Sequence, residues 1–412
     1  MRPGRVAAIA LALLLCAAGL SDFWRTARTT AAIDFYQMWV GARMARETRD
    51  FYDPATGARM GESYRAEAVA ARSSRRHIAA ATYRRNLEIF SSPFLYTIYA
   101  ALPGSYEQAL ATFHAIALAA LAVAIAVFAR LLRWSTAAAT GFFGVLLFAF
   151  EPIRSDLVVG NSNTIILGII AVAAWLTSRG RFAGAGAMLA IATIAKPHVA
   201  MIFPMTYLFW ITRKRWRDLA RHAAGAMAAA VVAFVIGSIY FRSVSIWLEW
   251  VAAVRALPPN IVPLDIGNFS LAVIARSLSG VNFAVVIFLA LAAMAAFIAF
   301  RRKPRADVAF IAIGAVLFHT ISPLVWLHYF TLAVPLAMIL MRPASGEPAV
   351  RRQIAGAASL LLMSVRPWDA FVPAAIQVAA FVNFGLLLLL AFGLRELSLL
   401  RKNRVQADEQ GH

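Results

Sequence analysis

Between residues 6 and 394 the sequence returns again and again to apolar runs, and most of its basic residues stand in the gaps between them. A helix needs about 20 apolar residues to cross a bilayer, with roughly 17–25 usual. In lipid every backbone polar group must be satisfied within the structure, which leaves helices as the form such runs can take. The chain is therefore expected to be an all-α, polytopic membrane protein. Composition agrees, since 61% of its 412 residues are hydrophobic, against about 45–50% in soluble domains.

The runs give twelve spans, at 6–20, 108–129, 136–150, 157–178, 182–195, 198–212, 219–240, 281–300, 306–321, 328–341, 352–365 and 370–394. Together they form one integral membrane domain over 1–412, with a long first loop at 21–107 and a tail at 395–412. The opening "MRPGRVAAIALALLLCAAGLS" has the basic start and short apolar core of a signal peptide. A polytopic chain often starts on an anchor of this kind, and the helix is read as retained. One cysteine, Cys16, excludes an intrachain disulfide.

The formal charge of +20 would suit a nucleic-acid binder, so the placement of the 40 basic residues decides its meaning. With the N-terminus in the cytoplasm, 22 of them fall in cytoplasmic segments and six in short outside loops. That is the asymmetry of the positive-inside rule. It holds only if 182–212 is two short helices, because one helix there would reverse every later loop. The charge thus reports topology, and no nucleic-acid partner is expected. Fourteen of the 20 acids fall on the outside, nine of them in 21–107. The polar stretches "FEPIRSDLVVGNSN", "AKPH", "PPNIVPLDIGNFS", "SPLVWLHYF" and "RPWD" fall there too.

Within the first loop, Ala58 to Leu87 reads as a helix on the membrane surface, with Arg72, Arg75, Arg76, Arg84 and Arg85 near phosphate head groups. "FSSPFLYTIYAALPGS" is apolar but broken by Pro93 and Pro103, as a re-entrant or interfacial helix would be. "YDPATG" at Tyr52 to Gly57 is turn chemistry. Asp34 stands among Ile33, Phe35, Tyr36 and Trp39, either as a helix cap or paired with an arginine, or as a working acid. Lys196 ends an apolar run just before Pro197, where it either snorkels to the surface or meets an anion such as phosphate. Asn161 and Asn163 are placed to cap a helix at 164, and His328 reads equally as an interfacial histidine.

In order and spacing, "IDFYQMWVGARMARETRDFYDP", "SSPFLYTIYAALP", "VVGNSNTIILGIIAVAAWLTSRGRFAGAGAMLAIATIAKPH", "GNFSLAVIARSL" and "SPLVWLHYF" resemble glycosyltransferase family 87, a family formerly described as a domain of unknown function. The resemblance implies a GT-C membrane fold and use of polyprenyl-phosphate sugars. It carries Asn163, Asn268, Trp326 and His328 over as substrate-binding positions. Three positions depart from the pattern: the family's Gly-Gln-x-Asn reads "GNSN", its Asn-Gln-Ser reads "NFS", and Tyr329 stands where a second histidine is common.

In GT-C enzymes the usual catalytic carboxylate lies in the first external loop, and Asp34 occupies that place. A base there would take the acceptor hydroxyl's proton, with Tyr36 and Trp39 offering faces for the sugar ring. Lys196, His328 and Arg276 are the candidates for stabilising the departing phosphate. The expected partners are a polyprenyl-phosphate sugar donor, a glycolipid or polysaccharide acceptor outside the plasma membrane, and the bilayer itself. No Asp-x-Asp occurs, so the signature of metal-dependent nucleotide-sugar transferases is missing. No resident cofactor is expected, and a divalent ion stays an open choice. A transporter or flippase of lipid-linked sugar is the rival class; such proteins usually carry internal repeats, and the loop 21–107 has no counterpart in the second half. A glycan ligase would share the donor chemistry.

Overall fold

The computed structural model describes residues 3–399 except 49, 103, 258–261, 263–266, 303–306, 345 and 365–374. "RPWD", most of "PPNIVPLD" and the tail beyond Leu399 lie outside the described residues. Among the described residues the ordered elements are helices, and the single strand-like contact is an isolated antiparallel bridge between Asn268 and Trp326.

The chain begins with α1 (Pro3–Thr29) and continues through four shorter helices: α2 (Ile33–Met44), α3 (Pro54–Ala70), α4 (Arg75–Tyr83) and α5 (Pro93–Ala100). Then come α6 (Tyr106–Leu131), α7 (Thr136–Ala149), α8 (Glu151–Val159), α9 (Asn163–Ser178), α10 (Phe182–Ala195), α11 (Ile202–Thr212), α12 (Trp216–Phe241) and α13 (Ile246–Ala256). The rest are α14 (Leu271–Ser279), α15 (Ala284–Arg302), α16 (Asp307–Leu317), α17 (Val334–Leu340), α18 (Glu347–Leu362) and α19 (Ala375–Leu399). Five of them, α1, α6, α12, α15 and α19, are long and apolar enough to cross a membrane. The pair α7 and α8, bent by 60°, makes a sixth if taken as one span. The protein is membrane-integral.

Each of the twelve expected runs meets a helix, but several are too short to cross alone. The run expected at 157–178 is interrupted: α8 ends at Val159 and α9 starts at Asn163. The 182–212 stretch is two helices, α10 and α11, separated by a single 3-10 turn at Pro197–Val199. In both places the helix stops where polar side chains gather, so shortness is the means by which irregular backbone reaches the protein interior.

Two boundaries differ from the sequence reading. The first helix runs to Thr29 rather than to residue 20, because Asp22 pairs with Arg25 and lies 3.4 Å from Arg154, which neutralises its charge within the helix. The surface helix expected over 58–87 is two helices. Arg72 adopts φ 49° in the turn, and the Ser74 side chain accepts the His77 N–H to start α4. Arg76 and Arg84 do not face head groups: they turn inward to form ion pairs with Glu107 and Asp34, both partly buried.

Helices associate through small residues, as expected where no hydrophobic drive separates helix from lipid. Gly186 of α10 and Gly225 of α12 let those helices touch, and a Cβ on Gly225 would overlap the backbone of Ala183. Gly144 of α7 lies directly against the backbone of Leu15 in α1. Most buried apolar side chains form one large cluster running from Phe23 to Leu397, with a small second one at Leu271, Ala272 and Ala284.

Polar helix ends separate into two groups. At one end Thr30 donates to the Val158 carbonyl, Tyr106 to that of Ala31, Tyr240 to that of Ala42, and Trp250 to that of Phe90. The other end joins Leu131, Ser178, Asp307, Arg342 and Glu396 around one cavity, with Arg215 bonded to Asp307 at 2.9 Å.

Candidate active site

The site is built on two helix starts. Ala32 takes a left-handed conformation, φ 50°, and turns the chain from α1 into α2 without any side-chain cap. Asp34 therefore lies in the first turn of α2, where the positive end of the helix dipole favours a carboxylate by about 0.3–1 kcal/mol. It is not the cap. Its oxygens are divided between two partners: Arg84 Nη2 donates to Oδ1 at 2.6 Å and Asn161 Nδ2 to Oδ2 at 2.9 Å.

Asn161 reaches Asp34 because of the turn between α8 and α9. Gly160 closes α8 with φ 72°, and a Cβ there would sit 2.5 Å from the Phe35 Cβ and 2.9 Å from the Ala32 Cβ. Only glycine meets both demands, the left-handed backbone and the close approach to α2. The start of α9 is not capped by either asparagine. Asp156, fully buried in α8, receives the backbone N–H of Thr164 at 2.8 Å and its hydroxyl at 2.6 Å, and Asn163 donates to it through its backbone at 3.2 Å and Nδ2 at 3.0 Å. Asn163 Nδ2 also reaches Asn161 Oδ1 at 3.1 Å. A continuous polar chain thus runs from Asp156 through Asn163 and Asn161 to Asp34.

Lys196 is coupled electrostatically to these two acids. Pro197 stops α10, and the amine of the lysine at that stop makes no hydrogen bond or ion pair among the described residues, although Asp34 and Asp156 both act on its charge. Burial pulls its amine below the usual lysine range, and the two carboxylates oppose the shift. His328 lies within the electrostatic reach of both Asp34 and Lys196. His198 stacks on Tyr329 with centroids 4.3 Å apart. The Nε2 atoms of His198 and His328 are buried and have no partner among the described residues. Orphan buried polar atoms are rare and point to a missing ligand or water.

The remaining expected residues are placed as follows. Tyr36 is fully buried, its ring among Trp39, His77 and Tyr106, while His77 stacks on Tyr106 at 4.6 Å. Trp39 has Arg43 over its ring at 4.4 Å and borders a cavity of about 300 Å³ together with Arg46, Tyr99 and Tyr240. Asn268 has its whole amide engaged: Nδ2 donates to the carbonyls of Val262 and Pro323, and Oδ1 accepts from the N–H groups of Ser270 and Val325. It ties two loops together and so sets Trp326, whose ring lies nearly parallel to that of His328. Arg276 is exposed in the last turn of α14.

The bonds and fields of the site therefore gather Asp34, Asn163, Lys196 and His328. To these the structure adds Arg84, Asp156, Asn161 and His198. The "AKPH" stretch held the signal for His198; Arg84 had none, because its partner lies 50 residues away. Among the described residues no three His, Cys, Asp or Glu side chains converge as a metal site requires.

Residues 91–323 match the family model for glycosyltransferase family 87. The matched stretch contains Asn161, Asn163, Lys196, Asn268 and Arg276, with Asp34 before it and His328 after it. No curated protein and no solved structure matches the chain.

Proposed function

The chain belongs to glycosyltransferase family 87, and we propose that it moves a hexosyl or pentosyl group, of mannose or arabinose type, from a polyprenyl-phosphate donor to an acceptor hydroxyl. The acceptor is a glycolipid or polysaccharide on the extracytoplasmic side of the plasma membrane, with both chain ends in the cytoplasm. One observation carries this reading: a carboxylate at a helix start shares its surroundings with a half-buried lysine and two buried imidazole nitrogens that lack partners.

The chemistry follows from the charges. Asp34 accepts the acceptor's hydroxyl proton while that oxygen attacks the anomeric carbon; the bond from that carbon to the phosphate oxygen breaks, and its electron pair leaves with the phosphate. A single displacement inverts the anomeric centre. General-base assistance contributes typically about 10²–10⁴-fold. Lys196, as a cation, and His328, as a neutral N–H donor, are assigned to the phosphate oxygens, where negative charge develops, and preorganised donors are worth most in such an enclosed place. The lipid chain lies between helices, and the acceptor sugar takes the side of α2 bearing Trp39.

Purified protein is to be incubated with a panel of polyprenyl-phosphate sugars and an acceptor extract, with released polyprenyl phosphate as the readout. Asp34→Asn is expected to lower transfer by about 10²–10⁴-fold, and full activity in that variant removes the base from the mechanism. Lipid scrambling by a protein inert toward every donor would instead favour the transporter.

A further inference from the structure

Arg84 is not required by the chemistry just described, yet it holds the carboxylate on which that chemistry depends. It leaves the C-terminal end of α4, with its side chain only 17% exposed. Nη2 binds Asp34 Oδ1 at 2.6 Å, Nη1 reaches the exposed Glu88 at 3.3 Å, and Nε is buried without an acceptor among the described residues. Asn161 occupies the other Asp34 oxygen. Each Asp34 oxygen thus already holds one donor, so the carboxylate is partly masked toward an incoming hydroxyl as it stands.

A guanidinium is a planar fork of five donors that fits phosphate bidentately. We propose that Arg84 is a phosphate ligand that masks Asp34 in the empty enzyme and turns to the donor's phosphate when it binds, uncovering the base. This rests on the reading that the donor carries a phosphate. Three features of the site support the exchange. The unpartnered Nε gains an acceptor. Lys196 already acts on Asp34, so the carboxylate keeps a countercharge when Arg84 turns away. Glu88, four residues along and exposed, pairs with the guanidinium at 3.3 Å independently of Asp34. In consequence the acceptor hydroxyl can be deprotonated only after the donor is in place.

If Asp34 and the phosphate compete for one guanidinium, the two substitutions are coupled in a way that a general charge effect is not. The probe is polyprenyl phosphate itself, titrated into detergent-solubilised full-length protein with tryptophan fluorescence as the readout. Arg84→Gln is expected to weaken binding at least tenfold, and Asp34→Asn to strengthen it at least threefold because the fork is released. The double variant should match Arg84→Gln within twofold. Arg84→Lys keeps the charge without the fork; it should raise the donor KM at least threefold and change kcat less than that, which also covers the case of Arg84→Gln failing to fold. The proposal is overturned if Arg84→Gln binds as tightly as wild type, or if Asp34→Asn still strengthens binding in its background. Absence of binding by the wild-type protein overturns the donor reading, and the assignment of Arg84 with it.

Discussion

Asn161 stands where the family pattern has glutamine, and its single amide N–H to Asp34 spans 127 residues of chain. Shortening it to alanine removes one hydrogen bond to a charged group, about 1.5–3 kcal/mol. Asn161→Ala is accordingly expected to lower transfer by about tenfold or more, while Asn161→Gln, one methylene longer and matching the family residue, should stay within a few-fold; initial rates on one donor decide it. At this scale the sequence was partly readable. Asp34 was identifiable from its place after the first apolar run, and of its two bland readings the ion pair is realised and the cap is not. Asn161 and Asn163 looked like caps, a role that belongs to Asp156, because a carboxylate eight residues upstream in α8 can fold back over the turn. Arg84 was read as a lipid contact since local composition says only that a charged helix is solvated, not which acid waits for it.

Turns between helices decide where those residues meet. The one at Gly160 has to be both left-handed and bare, so Gly160→Ala is expected to push Asn161 away from Asp34. Backbone strain costs about 1–2 kcal/mol, and the clash with Phe35 adds to it. Transfer should fall more than the melting temperature does, and equal losses in both would make the turn a matter of stability alone. The Lys196–Pro197 break was legible because the charge pattern demands two helices in 182–212. The split of the surface helix was not, since Arg72 and Ser73 do not announce a turn the way glycine or proline would. The α10–α12 contact is another element-scale feature. Gly225→Leu overfills it, at about 1–3 kcal/mol or more, and is expected to reduce the yield of monodisperse protein in detergent.

For the whole molecule, class and helix order were readable from hydropathy, and the pairing of helix ends was readable from the arginines. Which runs become short interior helices was not, because hydropathy cannot tell a lipid-facing helix from one enclosed by neighbours. The two polar ends make a topological prediction. In a chain with Cys16 replaced by serine, a cysteine at the exposed Glu62 of α3 should react with a membrane-impermeant maleimide in intact cells, and one at the exposed Arg133 only after lysis. The reverse pattern would place the site in the cytoplasm.

The carboxylate, its amide partner, the half-buried lysine and the second imidazole come from positions 34, 161, 196 and 328. During synthesis, therefore, the first of them enters the membrane long before the last has left the ribosome. No nascent chain shorter than about four-fifths of the protein can hold the whole set, so a stalled or truncated product is inserted but chemically silent.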